Sequence, residues 1–206
     1  MKNKINIFEI GQFIENCPYD LVVIGQPKSI GTTTAMLDFF SNKIFWEETF
    51  NVLILVESQQ SKANCAQYLR EYFFEVFGIQ KTFNFLENFF EIFGNKISIL
   101  SYKNQDKIGG DEIIFDYGYV DKDEDNELLN LYLTEYLANI CKKIVIATYD
   151  FPNSLYYSPF LIDEQKTLVT SQKYFKNLSD LNNLETFSFT YEKTIKGEFL
   201  DNEEKI

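Results

Sequence analysis

The stretch Leu21–Thr34, LVVIGQPKSIGTTT, limits what the rest of the chain can be. Leu21 to Ile24 are apolar without a break, the mark of a strand buried on both faces. Gly25 ends the run, Pro27-Lys28-Ser29 carries the chain through a turn, and Gly31 precedes three threonines and a helix-like segment from Ala35 to Phe40. A buried strand that breaks at glycine and re-enters as a helix makes a phosphate cradle, because the turn's N–H groups and the helix dipole converge on one anion. The usual spelling of such a loop ends Gly-Lys-Ser/Thr. Here it ends Gly31-Thr32-Thr33, with threonine in the place of the lysine. Gly25, Lys28, Ser29, Gly31, Thr32, Thr33 and Thr34 are the candidate nucleotide-binding residues. The blander reading of Gly31–Thr34 is a tight turn with a threonine helix cap.

Composition narrows the chemistry. The chain has no histidine, and Arg70 is its single arginine. Imidazole acid–base catalysis and imidazole metal ligands are therefore excluded, and one arginine finger is available in cis. A net charge of −12 argues against a general nucleic-acid coat, so any DNA contact is expected to be indirect or confined to a local groove. Cys17, Cys65 and Cys141 are odd in number, widely spaced and without a CxxC pair, and read as buried thiols of a reducing compartment. No apolar run approaches the ~18 residues of a membrane span, and the N-terminus lacks the core of a signal peptide. No membrane partner is expected.

Periodicity organises the remainder. Ile7, Ile10, Phe13 and Ile14 give helical spacing over Ile5–Asn16, stopped by Pro18. Asn51–Val56 reads as a second buried strand. Ser58–Phe77 reads as a helix closed by Gly78, and Asn84–Phe93 as apolar residues at helical spacing closed by Gly94. Lys96–Tyr102 alternates like a strand. Glu112–Asp116 is a short buried strand ending in an acid, Glu127–Lys142 a long amphipathic helix, and Lys143–Thr148 another buried strand. Beyond Pro159, Lys166–Thr170 and Glu185–Thr190 suggest strands, and Tyr191–Phe199 helix or loop. The aromatic stripe of Tyr72–Phe93 suits core or an interface. Asp121–Glu127, DKDEDNE, lacks the glycine and glutamate of a calcium loop, with Asn126 and Tyr132 at those positions. It suits the start of the helix that follows, where acids oppose the dipole.

Apolar strands alternating with helices predict an α/β fold of the P-loop NTPase type (ASCE class), a mostly parallel sheet with helices on both faces. Its crossovers are right-handed and its ligands sit at the C-terminal strand ends. There stand Gly25, Asp116 and Thr148. In such a site Asp116 with Thr33 would hold magnesium, and the position after the acid would carry a water-orienting glutamate. Tyr117 occupies it, a poor base at neutral pH.

One further stretch makes the pattern specific. Ala147–Tyr157, ATYDFPNSLYY, resembles the coupling motif of the large-terminase ATPases of tailed phages, with Ala147, Thr148, Asn153, Leu155 and Tyr156 in register, Tyr149 for its proline and Phe151 for its glycine. Lys28-Ser29-Ile30-Gly31-Thr32-Thr33 lies along that family's early Walker A, Arg-Gln-x-Gly-Lys-Thr. NVLILVESQQSKANCAQYL looks like its second strand and following helix, and Gln12 stands in for its adenine-reading glutamine. Phe189–Asn202 looks like the acidic segment that leads into its nuclease domain. The resemblance is closest to the T4-like branch and spans Ile7 to Asn202. It implies an ATPase-like domain over 1–185 and an acidic tail over 186–206, without the nuclease. It also implies ATP and magnesium as cofactors, viral packaging or assembly proteins as partners, and a setting in the host cytoplasm or virion. With Thr32 and Tyr117 at the lysine and glutamate positions, the expected protein is an impaired ATPase acting through protein contacts. The alternatives are an active subunit of a split terminase using Lys28 as its lysine, or an adaptor on an ATPase scaffold.

Overall fold

The computed structural model describes residues 4–6, 9–16, 21–25, 31–104, 106, 113–122, 137–148, 167–171, 188–190, 192–195 and 198–201. In chain order the elements are β1 (Lys4–Asn6), α1 (Ile10–Asn16), β2 (Leu21–Gly25), α2 (Thr32–Trp46), β3 (Asn51–Val56), α3 (Gln59–Phe77), β4 (Phe89–Ile92) and β5 (Asn95–Ser101). There follow β6 (Phe115–Lys122), the short α4 (Ala138–Ile140), β7 (Cys141–Thr148), β8 (Thr167–Ser171), β9 (Ser188–Thr190), β10 (Glu192–Ile195) and β11 (Glu198–Asp201). Seven strands make one sheet in the order β4-β5-β3-β6-β7-β2-β8. Every neighbouring pair is parallel except β4, which runs antiparallel to β5. β7 stands between β2 and β6. Apart from this sheet, β1 pairs in parallel with β9, and β10 with β11 antiparallel.

The burial explains the uninterrupted apolar runs. One face of the sheet, with Val22, Ile54, Ile99, Tyr119 and Val145, packs under Ile10 and Ile14 of α1, Met36 and Phe40 of α2, and Leu69 and Phe73 of α3. Leu53, Leu55, Leu100, Ile144 and Ile146 on the other face are equally buried. A strand covered on both sides cannot alternate, so β3 and β7 read as solid hydrophobic blocks.

α3 has the ends its sequence predicts. The Ser58 hydroxyl accepts from the Ser61 N–H, and Gly78 closes the helix at φ 68 in the left-handed region. The α1–α2 crossing is set by Gly11, where an added Cβ would lie 2.4 Å from the Phe39 ring and 2.7 Å from Phe39 Cβ. Gly11→Ala should therefore lower stability by about 1–3 kcal/mol, despite alanine's helix preference of ~1 kcal/mol. Urea denaturation measures it; an unchanged or raised midpoint would show that the helices separate freely.

Several expectations need correction. The helix over Asn84–Phe93 is instead a turn followed by β4, joined to β5 by the two-residue turn Phe93-Gly94. In β4 only Phe90 and Ile92 are buried, a period of two that the dense aromatics had masked. Phe93 lies at φ 53 and Gly94 at φ 86, the turn geometry that favours Asn-Gly; a bulky side chain there costs roughly 1–2 kcal/mol. α1 begins at Ile10, with β1 before it. Cys141 and Lys142 belong to β7 rather than to a helix over Glu127–Lys142, most of which lies outside the described residues, and the segment read as helix or loop after Tyr191 is the β10–β11 hairpin. The correction that matters most is β6: the strand expected over Glu112–Asp116 runs from Phe115 to Lys122.

Candidate nucleotide-binding site

Extending β6 by six residues beyond Asp116 moves the acid. Asp116 is the strand's second residue and lies at its entry end. Its carboxylate accepts the Asn51 N–H at 2.8 Å and the Lys142 ammonium at 2.7 Å. It is an anchor for the starts of β3 and β7, at the opposite end of the sheet from Gly25, where β2 ends. Tyr117 is likewise displaced from the site expected for it. It is buried among Phe39, Phe40 and Phe50, and its identity answers to packing.

The acid at the exit end is Asp121. Along β6 the side chains of Tyr117, Tyr119 and Asp121 share one face, and that face looks at α2. There the Thr33 hydroxyl donates to Asp121 Oδ2 at 2.9 Å. Its single proton being so used, the Tyr119 hydroxyl, 3.2 Å away, is the donor in the second contact. Cys65 of α3 completes the surroundings. Burial first, and the Asp121 charge second, push its thiol pKa up to about 12, so it stays protonated. Cys141 is also pushed up to about 12 by burial, and Cys17 lies outside the described residues. Cys65 is buried as its spacing suggested, Cys141 only half-buried, and both stay protonated at neutral pH.

Beside this contact the register gathers four strand ends, those of β2, β6, β7 and β8. Gly25 pairs with Thr148 and with Ser171, and Thr148 pairs with Lys122. Gly31 caps α2 in the left-handed region at φ 89 and, being glycine, brings no side chain of its own to the cap. A helix start without a side-chain cap is the condition under which its first-turn N–H groups take an anion. Thr32, in the lysine's place, is 1% exposed, and Thr34 is exposed. The threonine-cap reading fails on this geometry, since the cap residue is Gly31. Gln12 lies exposed on α1 and lines a groove of about 570 Å³ that runs along α2 from Ala35 to Trp46. Lys28, Ser29 and Asn153 lie outside the described residues, as do Tyr149 and Phe151.

The structure thus brings Thr33 together with Asp121 and Tyr119, and takes Asp116 and Tyr117 away. The signal for Asp121 was present: Ile113 to Val120 is apolar apart from Asp116 and Gly118. A metal tested against this set is of the hard, oxygen-seeking kind. A hydroxyl, a carboxylate and a phenol suit Mg2+, and the one sulfur nearby is a protonated thiol.

The chain is similar to the large terminase of bacteriophage HK97, with 11% identity and a TM-score of 0.56 over 93% of this chain and 39% of that one. This is a terminase-like fold. It is also similar to the large terminase of a thermophilic bacteriophage, with 12% identity and a TM-score of 0.54 over 79% of this chain and 44% of the other. The terminase-like chain thus spans about two fifths of the length of these proteins. No family model and no curated protein matches it in sequence.

Proposed function

We propose that the chain is a terminase-like ATPase-fold protein of the T4-like branch that binds magnesium nucleotide weakly, hydrolyses it slowly, and acts through protein contacts in viral DNA packaging or assembly. The observation that carries this reading is the Thr33–Asp121 hydrogen bond, which joins the threonine of the phosphate loop to the acid near the exit end of β6, the strand beyond β7. In this reading Thr33 and Asp121 hold the metal, which when bound supplies charge to the β- and γ-phosphates. Gly31 and the first turn of α2 cradle phosphate, and Tyr119 orients the Thr33 hydroxyl. Thr148, and Asn153 beyond β7, form the coupling segment, with Gln12 toward the base. Residues 1–185 form the ATPase-like unit and 186–206 its acidic tail.

Slow hydrolysis follows from what replaces the two strongest catalytic groups. Thr32 brings no charge to the phosphates. With Asp121 as the metal acid, the position that follows it is Lys122, which accepts no proton from an attacking water. Both losses act on positioned charge, the main source of rate in phosphoryl transfer. Titration calorimetry tests the proposal. ATP with magnesium should bind with a dissociation constant above about 10 μM, binding should weaken on adding chelator, and Thr33→Ala should weaken it further. No heat at millimolar ATP would sink the reading, as would turnover at the ~1–100 s−1 of competent phosphoryl-transfer enzymes.

A further inference from the structure

We infer that the far end of α2 carries a docking trough for a basic amphipathic helix of another protein. Four aromatic residues build it. Phe45 stacks on Phe77, with ring centroids 4.1 Å apart and planes 9° from parallel, and this stack is the floor. Trp46 stands edge-on to Phe45 at 4.7 Å, and Phe93 at 5.8 Å, as the walls. The walls face water: Trp46 is 73% exposed and Phe93 71%. Three separate elements supply the trough, namely the last turn of α2, the last turn of α3 and the β4–β5 turn. It is a constructed surface and not a single stray side chain.

The backbone points the same way. Phe93 occupies a positive-φ position of a two-residue turn where Asn-Gly is the favoured pair. A bulky residue is held there against its local preference, its ring meeting Phe45 edge-on with most of its surface in water, and such outliers gather at functional sites.

The occupant is chosen by charge. Within three positions of the trough's aromatic residues stand Glu47, Glu48, Glu75 and Glu91, against Lys43 and Lys96. Lys43 and Glu47 pair with each other, and Glu91 stands cross-strand from Lys96. Four acids against two lysines still leave this rim a net charge of −2, with Glu48 and Glu75 exposed. A second copy of this chain would bring the same rim and the same net charge of −12, so self-docking is opposed. A helix with aliphatic side chains at i, i+3, i+4 and i+7 and lysine or arginine beside them fits both the trough and its rim. Phe45 stands twelve residues beyond Thr33 on α2, about 18 Å along the helix, so the trough is distant from the Thr33–Asp121 contact, while its Trp46 wall also lines the far end of the groove that holds Gln12.

Trp46 is the only tryptophan and reports directly on the trough. The full chain is titrated with a fluorescein-labelled peptide of ~18 residues in which leucine and lysine alternate at helical spacing, following both Trp46 emission and peptide anisotropy. Binding should shift the Trp46 emission to the blue and weaken as salt rises. A peptide with glutamate for lysine should bind at least about tenfold more weakly. Phe93→Asn should weaken the lysine peptide at least about tenfold while keeping or raising the melting temperature, because asparagine suits the turn. An unmoved Trp46 spectrum, equal affinity for the two peptides, or unchanged affinity in Phe93→Asn would each overturn the inference. So would a dimer in sedimentation that Phe93→Asn dissolves, since that would give the trough to a second copy.

Discussion

Asp121→Asn should abolish the magnesium dependence of nucleotide binding, and Asp116→Asn should leave it intact. The two acids stand five residues apart on the same strand, so the pair separates the two ends of the sheet in one experiment. Asp121 accepts from Thr33 at 2.9 Å beside the start of α2. Losing its charge removes an anionic oxygen that would face the metal. Groups that merely support a metal ligand already cost about 10–100-fold in affinity when lost, so about 100-fold or more is expected here. Asp116 bonds the Asn51 N–H and an ammonium, Lys142, whose side chain is 66% exposed. An asparagine oxygen still accepts the Asn51 N–H, and an exposed ion pair is worth ~1 kcal/mol at most. Asp116→Asn should therefore cost a little stability and no nucleotide affinity. Calorimetry with and without magnesium decides it. If Asp116→Asn removes the metal dependence and Asp121→Asn spares it, the site is misassigned.

That reversal of roles shows where sequence reading succeeds and where it stops. β2 and β3 were legible because a strand buried on both faces leaves an unbroken apolar run, and α3 because Ser58 and Gly78 mark its ends chemically. β6 was misplaced because Asp116 interrupts an apolar stretch and looks like its end. Only the pairing of Val52–Leu55 with Tyr117–Val120 shows that the strand continues past it. Burial of both faces removes the alternation that would have set Tyr117, Tyr119 and Asp121 on one side. The tyrosine read as a missing catalytic group is a core residue, and the acid read as part of a helix start accepts the Thr33 hydroxyl at the start of α2. The start of α2 just after Gly31 was legible from the loop's spelling alone, because a glycine followed by threonines breaks a strand and opens a helix. The β4–β5 hairpin was hidden for another reason: its turn carries Phe93 where turn chemistry favours asparagine, so local preference gave no warning.

Asp106→Ala should be the most destabilising single change at a charged position among the described residues, at about 3–5 kcal/mol. Lys62 of α3 has a side chain only 3% exposed, and its ammonium lies 2.7 Å from Asp106 Oδ2 and also donates to Asn88 Oδ1. The same carboxylate accepts the Ser101 N–H at 3.0 Å and the Gln59 amide at 2.9 Å. Removing it leaves a buried cation without its counter-charge, which is what makes a broken buried pair expensive. For a chain of this length the loss corresponds to a melting temperature lower by about 10 °C. The pH dependence fixes the origin of the loss. Burial alone would raise the Asp106 pKa, but the hydrogen bonds from Lys62 and Ser101 and the Lys62 charge outweigh it and hold the carboxyl below its ordinary 3.8. Its stabilisation is thus complete above the unfolded pKa near 3.8 and is lost as pH falls through the lower folded value. Wild type and Asp106→Asn should differ most at neutral pH and converge in acid, as the wild-type carboxyl takes up its proton. Replacing both partners, Lys62→Met with Asp106→Leu, should recover most of the stability, because no charge then stays buried. A double variant no more stable than Asp106→Ala, or a difference from wild type that persists unchanged below pH ~3, would place the cost in the Gln59 and Ser101 bonds instead of the ion pair.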